Sequence, residues 1–319
     1  KTDDFGTSYY YRGAVNNNWV KFGKEGTKDI YWRIIRINGD GSIRMIYSGT
    51  TKPSENTSVT GSNGVYMTGT GTQITVDSAN TFKFNSSSNK AEYVGYQYIE
   101  GQQHGYGECN GSSASCTVNG NTLYNSIIKQ QIDKWYAGTT LKDNSLVSQD
   151  QIFCNDRSAT TSDSGTPGEI SGSMSTSTTY YYGAYVRLVT NKSPQLKCPT
   201  ASDKFTSRKS SIGNKALTYP VGLITADEVA MAGGVYGSIN SSYYLYTSSF
   251  YWSGSPYDFF SDYSSAGEFS VSNGGDIGAG SVNITYGARP VVSLSSKAKL
   301  SGNGTYSKPY TVSWFGWLK

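Results

Sequence analysis

The chain is short of charge. Asp, Glu, Lys and Arg make up 16% of its 319 residues, where soluble domains average roughly a quarter. The formal net charge is only +4 and is spread along the chain. That is a weak electrostatic case for nucleic acid, which is not an expected partner. Histidine is almost missing: the single one, His104, lies in "EGQQHGYGEC". A lone histidine in a Gly-rich loop reads as a solvated side chain rather than a catalytic base. No CxxC or Cys/His spacing, EF-hand loop, phosphate-binding loop or dinucleotide fingerprint occurs, so neither a metal nor another cofactor is expected. The segment "SGSPY" lacks the Gly-x-Ser-x-Gly spacing of a nucleophile elbow. The chain opens at "KTDDFG" with neither a signal peptide nor a membrane span, as if export signals were removed or omitted. A membrane would be reached only through an anchor outside this sequence.

Gly, Ser, Thr, Asn and Tyr take the place of charge. Aromatic residues reach 14% and supply a core where Leu is scarce. Abundant Thr, Tyr and Val with many Gly-containing turns favour β structure. The four cysteines allow three pairings. Sequential pairing is preferred: Cys109 with Cys116 across "CNGSSASC", and Cys154 with Cys198 around a longer Ser/Thr/Gly-rich excursion. Each bridge staples a loop with little else to hold it, for about 2–4 kcal/mol apiece. Disulfides point to an oxidising exterior and hence to an extracellular, cell-surface location.

From the N-terminus, "YYYRGAV" reads as a strand. "YWRIIRI" and "SIRMIYS" read as the arms of a hairpin turning at "NGDG". Residues 50–92 read as a long insertion or surface hairpins, with short strand-like pieces such as "TFKF". "LYNSIIKQQIDKWY" is the first helix, with Leu123, Ile127, Ile128, Ile132 and Trp135 on one stripe and Gly138 as its stop. "TSDSGTPGEISGSMSTST" is a loop. "TADEVAMAGG" is a second helix, with Thr225 and Glu228 forming a capping box and Gly233–Gly234 ending it. Residues 243–294 read as short strands with turns at Gly254, Gly267, Gly274–Gly275 and Gly287. "RPVVSL" is a strong strand, "SGNGTYSKPYTV" closes a hairpin through Asn303–Gly304, and 313–319 is an apolar tail. Two helices and many irregular strands make this one α+β domain over 1–319, enlarged by an inserted region at about 50–120.

Carboxylates occur in pairs at "TADEV" and "YDFFSD". Asp227 and Glu228 are read as charges complementing a helix N-terminus. Asp258 and Asp262 suggest a glycosidase pair, a reading without a pocket signature to raise either pKa. In "CNDRS", Asp156 and Arg157 are read as a hydrogen-bonded corner. Arg289, before Pro290 on an apolar strand, is read as a buried structural ion pair.

Taken together, "SYYYRGAV…YWRIIRINGDGSIRMIYSGT", "NSIIKQQIDKWY", "CNDRS", "LTYPVGLITADEVAMAGG", "YLYTSSFYWSGSPYDF" and "GARPVVSL…SGNGTYSKPYTV" resemble a family of largely uncharacterised exported proteins of gut-type Gram-positive bacteria. The later part is similar to the C-type-lectin-like fold shared with formylglycine-generating-enzyme-like domains. The resemblance runs from about residue 8 to residue 312 and is weakest over 50–120. It implies a ligand surface on irregular strands and loops near the C-terminal end. The late cysteines of the formylglycine-generating enzymes have no counterpart beyond Cys198, and the Glu-Pro-Asn, Gln-Pro-Asp and Trp-Asn-Asp motifs of calcium-dependent lectins do not occur. Neither oxidase activity nor a calcium-dependent sugar site is therefore implied. The late segment also resembles the displayed patch in variable proteins of diversity-generating retroelements, where Tyr, Ser, Asn, Asp, Gly and Phe form a paratope-like surface.

The stretch "YWSGSPYDFFSDYSS" raises the functional question. Trp252, Phe259 and Tyr251 are expected in the core and, with Arg289, in the structural frame. Tyr243, Tyr257, Asp258, Phe260, Asp262, Tyr263, Ser264 and Asn273 are expected as ligand-binding residues, with all of them but Asp258 expected to be exposed. The expectation is a non-enzymatic, adhesin-like binding protein with a protein or glycan ligand. The alternatives are a pilin-like filament subunit assembled through "KTDDFG" and "SWFGWLK", and, third, a hydrolase using Asp258 and Asp262.

Overall fold

The hairpin expected at "NGDG" forms. Gly41 takes φ +82°, a left-handed conformation open to glycine at no steric cost, and Asn38 Nδ2 donates to Ser42 Oγ at 2.8 Å. The computed structural model describes residues 1–54, 72–208 and 212–314. Its main elements, in chain order, begin with β1 (Trp19–Glu25), β2 (Lys28–Ile37) and β3 (Ile43–Tyr47), followed by α1 (Ile127–Ala137), β4 (Ala159–Thr160) and β5 (Tyr180–Tyr182). Next come α2 (Gly183–Tyr185), α3 (Ala226–Ala232), β6 (Tyr251–Phe260), β7 (Ser265–Val271) and β8 (Ile277–Ser281). β9 (Val291–Leu294), β10 (Ala298–Ser301) and β11 (Tyr310–Trp314) complete the series.

Two sheets organise the chain, which is α+β. The larger runs β9-β3-β2-β1-β11-β10, with Tyr9–Tyr10 also paired to β2; its pairs are antiparallel except β11 on β1. The second, β4-β5-β6-β7-β8, is antiparallel throughout. One contiguous hydrophobic cluster takes in residues of both sheets, with Trp32, Trp135, Tyr136 and Trp252 among its largest members. Trp252 is wholly buried and its Nε1 donates to the Phe82 carbonyl at 2.7 Å.

Several expectations are corrected. Within the 50–92 segment, residues 72–92 are not surface hairpins: Ile74, Val76, Phe82, Phe84 and Ala91 lie in the core. The rest of the segment, 55–71, lies outside the described residues, as do Phe315–Lys319 of the apolar tail. The first helix starts at Ile127, not near Leu123. Ser126 caps it by accepting from Lys129 N at 3.3 Å, and Leu123 sits in a strand opposite Cys116. Helical periodicity continued past the true start because a strand residue happened to fall on the same stripe. Gly254 and Gly267 lie inside β6 and β7 rather than at turns. A third helical segment, α2 continuing as a wider π-type turn over Val186–Thr190, was not foreseen in a run of tyrosines.

Both disulfides form as expected, Cys109–Cys116 and Cys154–Cys198, with Cα–Cα distances of 5.8 and 5.6 Å. Among the described residues no helix is long and apolar enough to cross a membrane.

Charge is used inside the fold. Thr225 and Glu228 form the capping box of α3, but Glu228 is more than a dipole complement. It is buried, and its Oε1 meets Arg36 Nε at 2.9 Å and Arg44 Nε at 2.6 Å. Arg36 also holds Asp3 at 2.6 Å. Asp227 grips Arg187, which also pairs with Asp156 at 2.6 Å. Arg157 takes Asp203 instead, at 2.7 Å. The expected Asp156–Arg157 corner is thus two separate pairs, Asp156 with Arg187 and Arg157 with Asp203. Arg289 is buried as expected, yet among the described residues it meets no carboxylate. It donates to the carbonyls of Tyr47 and Leu245, both at 3.0 Å, and lies over the Tyr251 ring. His104 is not solvated: Nδ1 is 3.2 Å from Asp203 and Nε2 is 3.3 Å from Glu169.

Two substitutions separate the roles at α3. Thr225→Ala, which removes only the cap, should cost about 1 kcal/mol in denaturant unfolding. Glu228→Gln leaves Arg36 and Arg44 short of a buried counter-charge and should cost about 3–5 kcal/mol. Equal costs would mean that the cap, not the ion cluster, is what α3 contributes.

Candidate ligand-binding face

The second sheet presents one face to the core and one outward. On β5, Tyr180 and Tyr182 point into the core, and Tyr181 between them points out, half-buried. Such alternation is the ordinary period of a strand. β5 runs directly into α2, which carries Tyr185 on the same side, its ring 4.8 Å from that of Tyr181. On β6 the register shifts on both sides of Pro256, so that Tyr257 has no partner of its own between the Pro256–Glu268 and Asp258–Gly267 pairs. A bulge of this kind re-aims side chains. Here it brings the Tyr257 ring out to within 5.0 Å of Tyr185.

The result is a ladder of rings across the sheet rather than along a strand. Centroid steps are 6.0 Å from Phe260 to Tyr181, then 4.8 and 5.0 Å through Tyr185 to Tyr257, and 6.1 Å on to Tyr236. The Tyr257 and Tyr236 hydroxyls are hydrogen-bonded at 2.7 Å. Phe269 supports both rings from beneath, edge-on to Tyr257 at 4.9 Å. Phe260 is 37% exposed, and Tyr181, Tyr185, Tyr236 and Tyr257 are half-buried. Edge and offset contacts of this kind hold aromatic rings in fixed orientations.

Beneath the ladder lies Asp258. It pairs in register with Tyr181, so the two side chains share a face. A Cβ on Gly267 would come within 2.8 Å of Asp258 Oδ1 and 3.2 Å of the Tyr257 ring, so glycine is needed for this approach. Asp258 is 3% exposed and its Oδ2 has no hydrogen-bond partner among the described residues. Burial pushes its carboxyl up to about 8. Glu268, on the core side of β7, is wholly buried with neither oxygen partnered, and burial raises it well above the usual carboxylate range. Burial also raises Tyr257, followed by its bond to Tyr236.

At the Tyr236 end the ladder opens into a groove of about 300 Å³. Leu188, Pro194, Val235 and Ile277 form its apolar walls, and Arg12 and Lys192 its cationic rim.

The structure divides the eight expected ligand-binding residues. Tyr257, Asp258 and Phe260 belong to the ladder and its floor. Asp262, Tyr263 and Ser264 are exposed on the β6–β7 turn, Tyr263 at 83%. Asn273 is exposed but sits on the β7–β8 turn, at the other end of β7 and roughly 20 Å away at strand rise. Tyr243 is wholly buried, packed against Gly233 and Gly234 behind α3; its Ser and Asn neighbours suggested exposure, but tertiary packing covers it. Asp258, expected as a ligand-binding residue, is buried beneath the rings. Trp252, Tyr251 and Phe259 are core residues as expected. Asp258 and Asp262 do not share an environment, one buried in a strand and the other exposed on a turn. Tyr181, Tyr185 and Tyr236 were missed. The signal was the i, i+4 spacing of Tyr181 and Tyr185 in "YYYGAY", hidden because a strand turns into a helix between them.

Compared with known proteins, the chain matches no family model, no curated protein and no solved structure.

The raised Asp258 carboxyl has a measurable sign. An unfolded aspartate titrates near about 4. Between there and about 8 the folded chain holds a proton that the unfolded chain has lost. Stability therefore falls as pH rises through that window, by up to about 1.4 kcal/mol per pH unit from this group. Asp258→Asn should raise the melting temperature at pH 8, and the gain should shrink to nothing near pH 4. A variant that is less stable at pH 8 and unchanged at pH 4 would mean that Asp258 is ionised and paired.

Proposed function

We propose that the chain is an extracellular binding protein whose ligand, a protein or a glycan, lies across the ladder Phe260–Tyr181–Tyr185–Tyr257–Tyr236. The observation that supports this best is that five aromatic rings remain partly exposed in a continuous row while the chain fills its core with other aromatics. A contiguous apolar patch rimmed by polar groups is the usual mark of an interaction surface. Tyrosine supplies contact area with few rotatable bonds, so little entropy is lost on binding. The two disulfides favour an oxidising compartment. The C-type-lectin-like assignment and the likeness to retroelement variable proteins remain part of this proposal. They are supported by the α+β layout and by the Tyr-rich late strands, although the face draws as much on β5 and α2 as on 243–285.

The filament-subunit reading has less support at the N-terminus. Lys1–Ser8 is engaged within its own chain, where Thr2–Asp3 pairs with Gly6–Thr7 and Asp4 holds Lys204 at 2.8 Å. The hydrolase reading lacks a cleft in which Asp258 and Asp262 meet.

A printed array of oligosaccharides and extracellular proteins tests the binding reading. Whatever the native chain retains should be lost by Tyr185→Ala/Phe260→Ala, with a drop of about 30-fold, since truncated aromatic anchors cost about 2 kcal/mol or more. Tyr263→Ala serves as the surface control and should move stability by less than about 0.5 kcal/mol. Trp252→Ala, from the frame, should cost about 3–5 kcal/mol. Undiminished retention by a folded ladder variant would sink the proposal.

A further inference from the structure

The groove at the end of the ladder gives the ligand a charge. From its geometry we infer that the ladder binds an oligosaccharide bearing a carboxylate, with the sugar rings stacked along the tyrosines and the acid group seated between Arg12 and Lys192. This rests on the binding reading above and deepens it.

Three observations carry it. First, the groove and ladder are continuous, because Tyr236 both lines the groove and bonds Tyr257. Second, the groove has two cations and no described acid to neutralise them. Arg12 Nη1 donates to the carbonyls of Ala230 and Met231, at 3.3 and 3.1 Å, at the C-terminal end of α3. That end favours a cation. Among the described residues nothing accepts from Arg12 Nε or Nη2. Lys192 is exposed with its Nζ 5.9 Å from the Tyr236 ring, and no described carboxylate pairs with it. The neighbouring Arg187, by contrast, is paired with both Asp156 and Asp227. Third, the ladder's rings follow one another at 4.8–6.1 Å and are turned 20–86° to one another, so they suit a winding chain of sugar rings, each setting a C–H face against an aromatic ring while the phenol hydroxyls hydrogen-bond the sugar. A peptide adding as a strand would need an open sheet edge. The ladder instead crosses from β5 to β6 and offers ring faces and hydroxyls.

The probe is tetragalacturonate, compared with its methyl ester, which keeps the rings and removes the charge. Binding is measured by calorimetry on the full chain. Tetragalacturonate should bind at least about tenfold tighter than the ester, and its affinity should fall as salt is raised. Lys192→Met, which keeps the stem over Tyr236 and loses the ammonium, should weaken binding about tenfold and leave the ester unaffected. Arg12→Met is the second variant, read alongside its melting temperature because Arg12 also holds α3.

Equal affinity for acid and ester, or indifference to Lys192→Met, overturns the acid inference and leaves the ladder reading standing if Tyr185→Ala/Phe260→Ala still abolishes binding. No binding of either tetramer, tighter binding of a sulfated tetrasaccharide, or tighter binding of a glutamate-rich peptide likewise overturns it. Binding that survives both the ladder and the Lys192 substitutions removes the ladder reading as well.

Discussion

Glu228 is the point on which the architecture turns. A single carboxylate closes the capping box of α3 and receives Arg36 from β2 and Arg44 from β3. Arg36 in turn holds Asp3 of the N-terminal hairpin. Burying three or four charges is expensive, and the cost is offset only when every partner is in place. The cluster therefore acts as a condition on assembly: the N-terminal sheet, the helix and the first residues must dock together or leave a charge stranded. The two guanidiniums hold the Glu228 carboxyl below the usual range despite its burial. The Asp227–Arg187–Asp156 pairs and the Arg157–Asp203 pair extend the same device toward the second sheet.

That second anchoring matters for the candidate site. Arg187 lies on the π-type turn that follows α2, and its grip on Asp227 and Asp156 holds this segment against α3. Tyr185 is two residues away. The ladder is thus set by buried ion pairs on one side and by the β6 bulge on the other. Its floor is unusual in kind. Among the described residues Asp258 Oδ2 and both Glu268 oxygens are buried without a hydrogen-bond partner, and desolvation raises both carboxyls, where an apolar residue would be more stable. Unsatisfied buried polar groups are rare in native proteins and tend to mark function or stored strain.

Local chemistry made much of the fold legible in advance. The Asn-Gly-Asp-Gly turn, the capping box at Thr225 and Glu228, the Gly138 stop and the pairing of Cys109 with Cys116 all depend on residues within a few positions of one another. The failures were of a different kind. Leu123 fell on a helical stripe but is claimed by a strand whose partner is at Cys116. Tyr243 sits among polar neighbours and is covered by α3 residues brought from elsewhere in the chain. Phe82 and Phe84 lie in a polar-looking stretch and are drawn into the core by Trp252.

The sequence by itself determined the α+β character, the Cys109–Cys116 bridge, the hairpin, the capping box of α3 and the surplus of aromatic rings in the late segment, because each follows from composition or short-range geometry. Which rings face outward was decided only by tertiary structure. Tyr181, Tyr185, Tyr236 and Tyr257 come from three separate stretches of chain, and their alignment depends on strand pairing, a bulge and a change from strand to helix. Whether a ring is buried depends on what the rest of the chain lays over it, and that information is not contained in its neighbours.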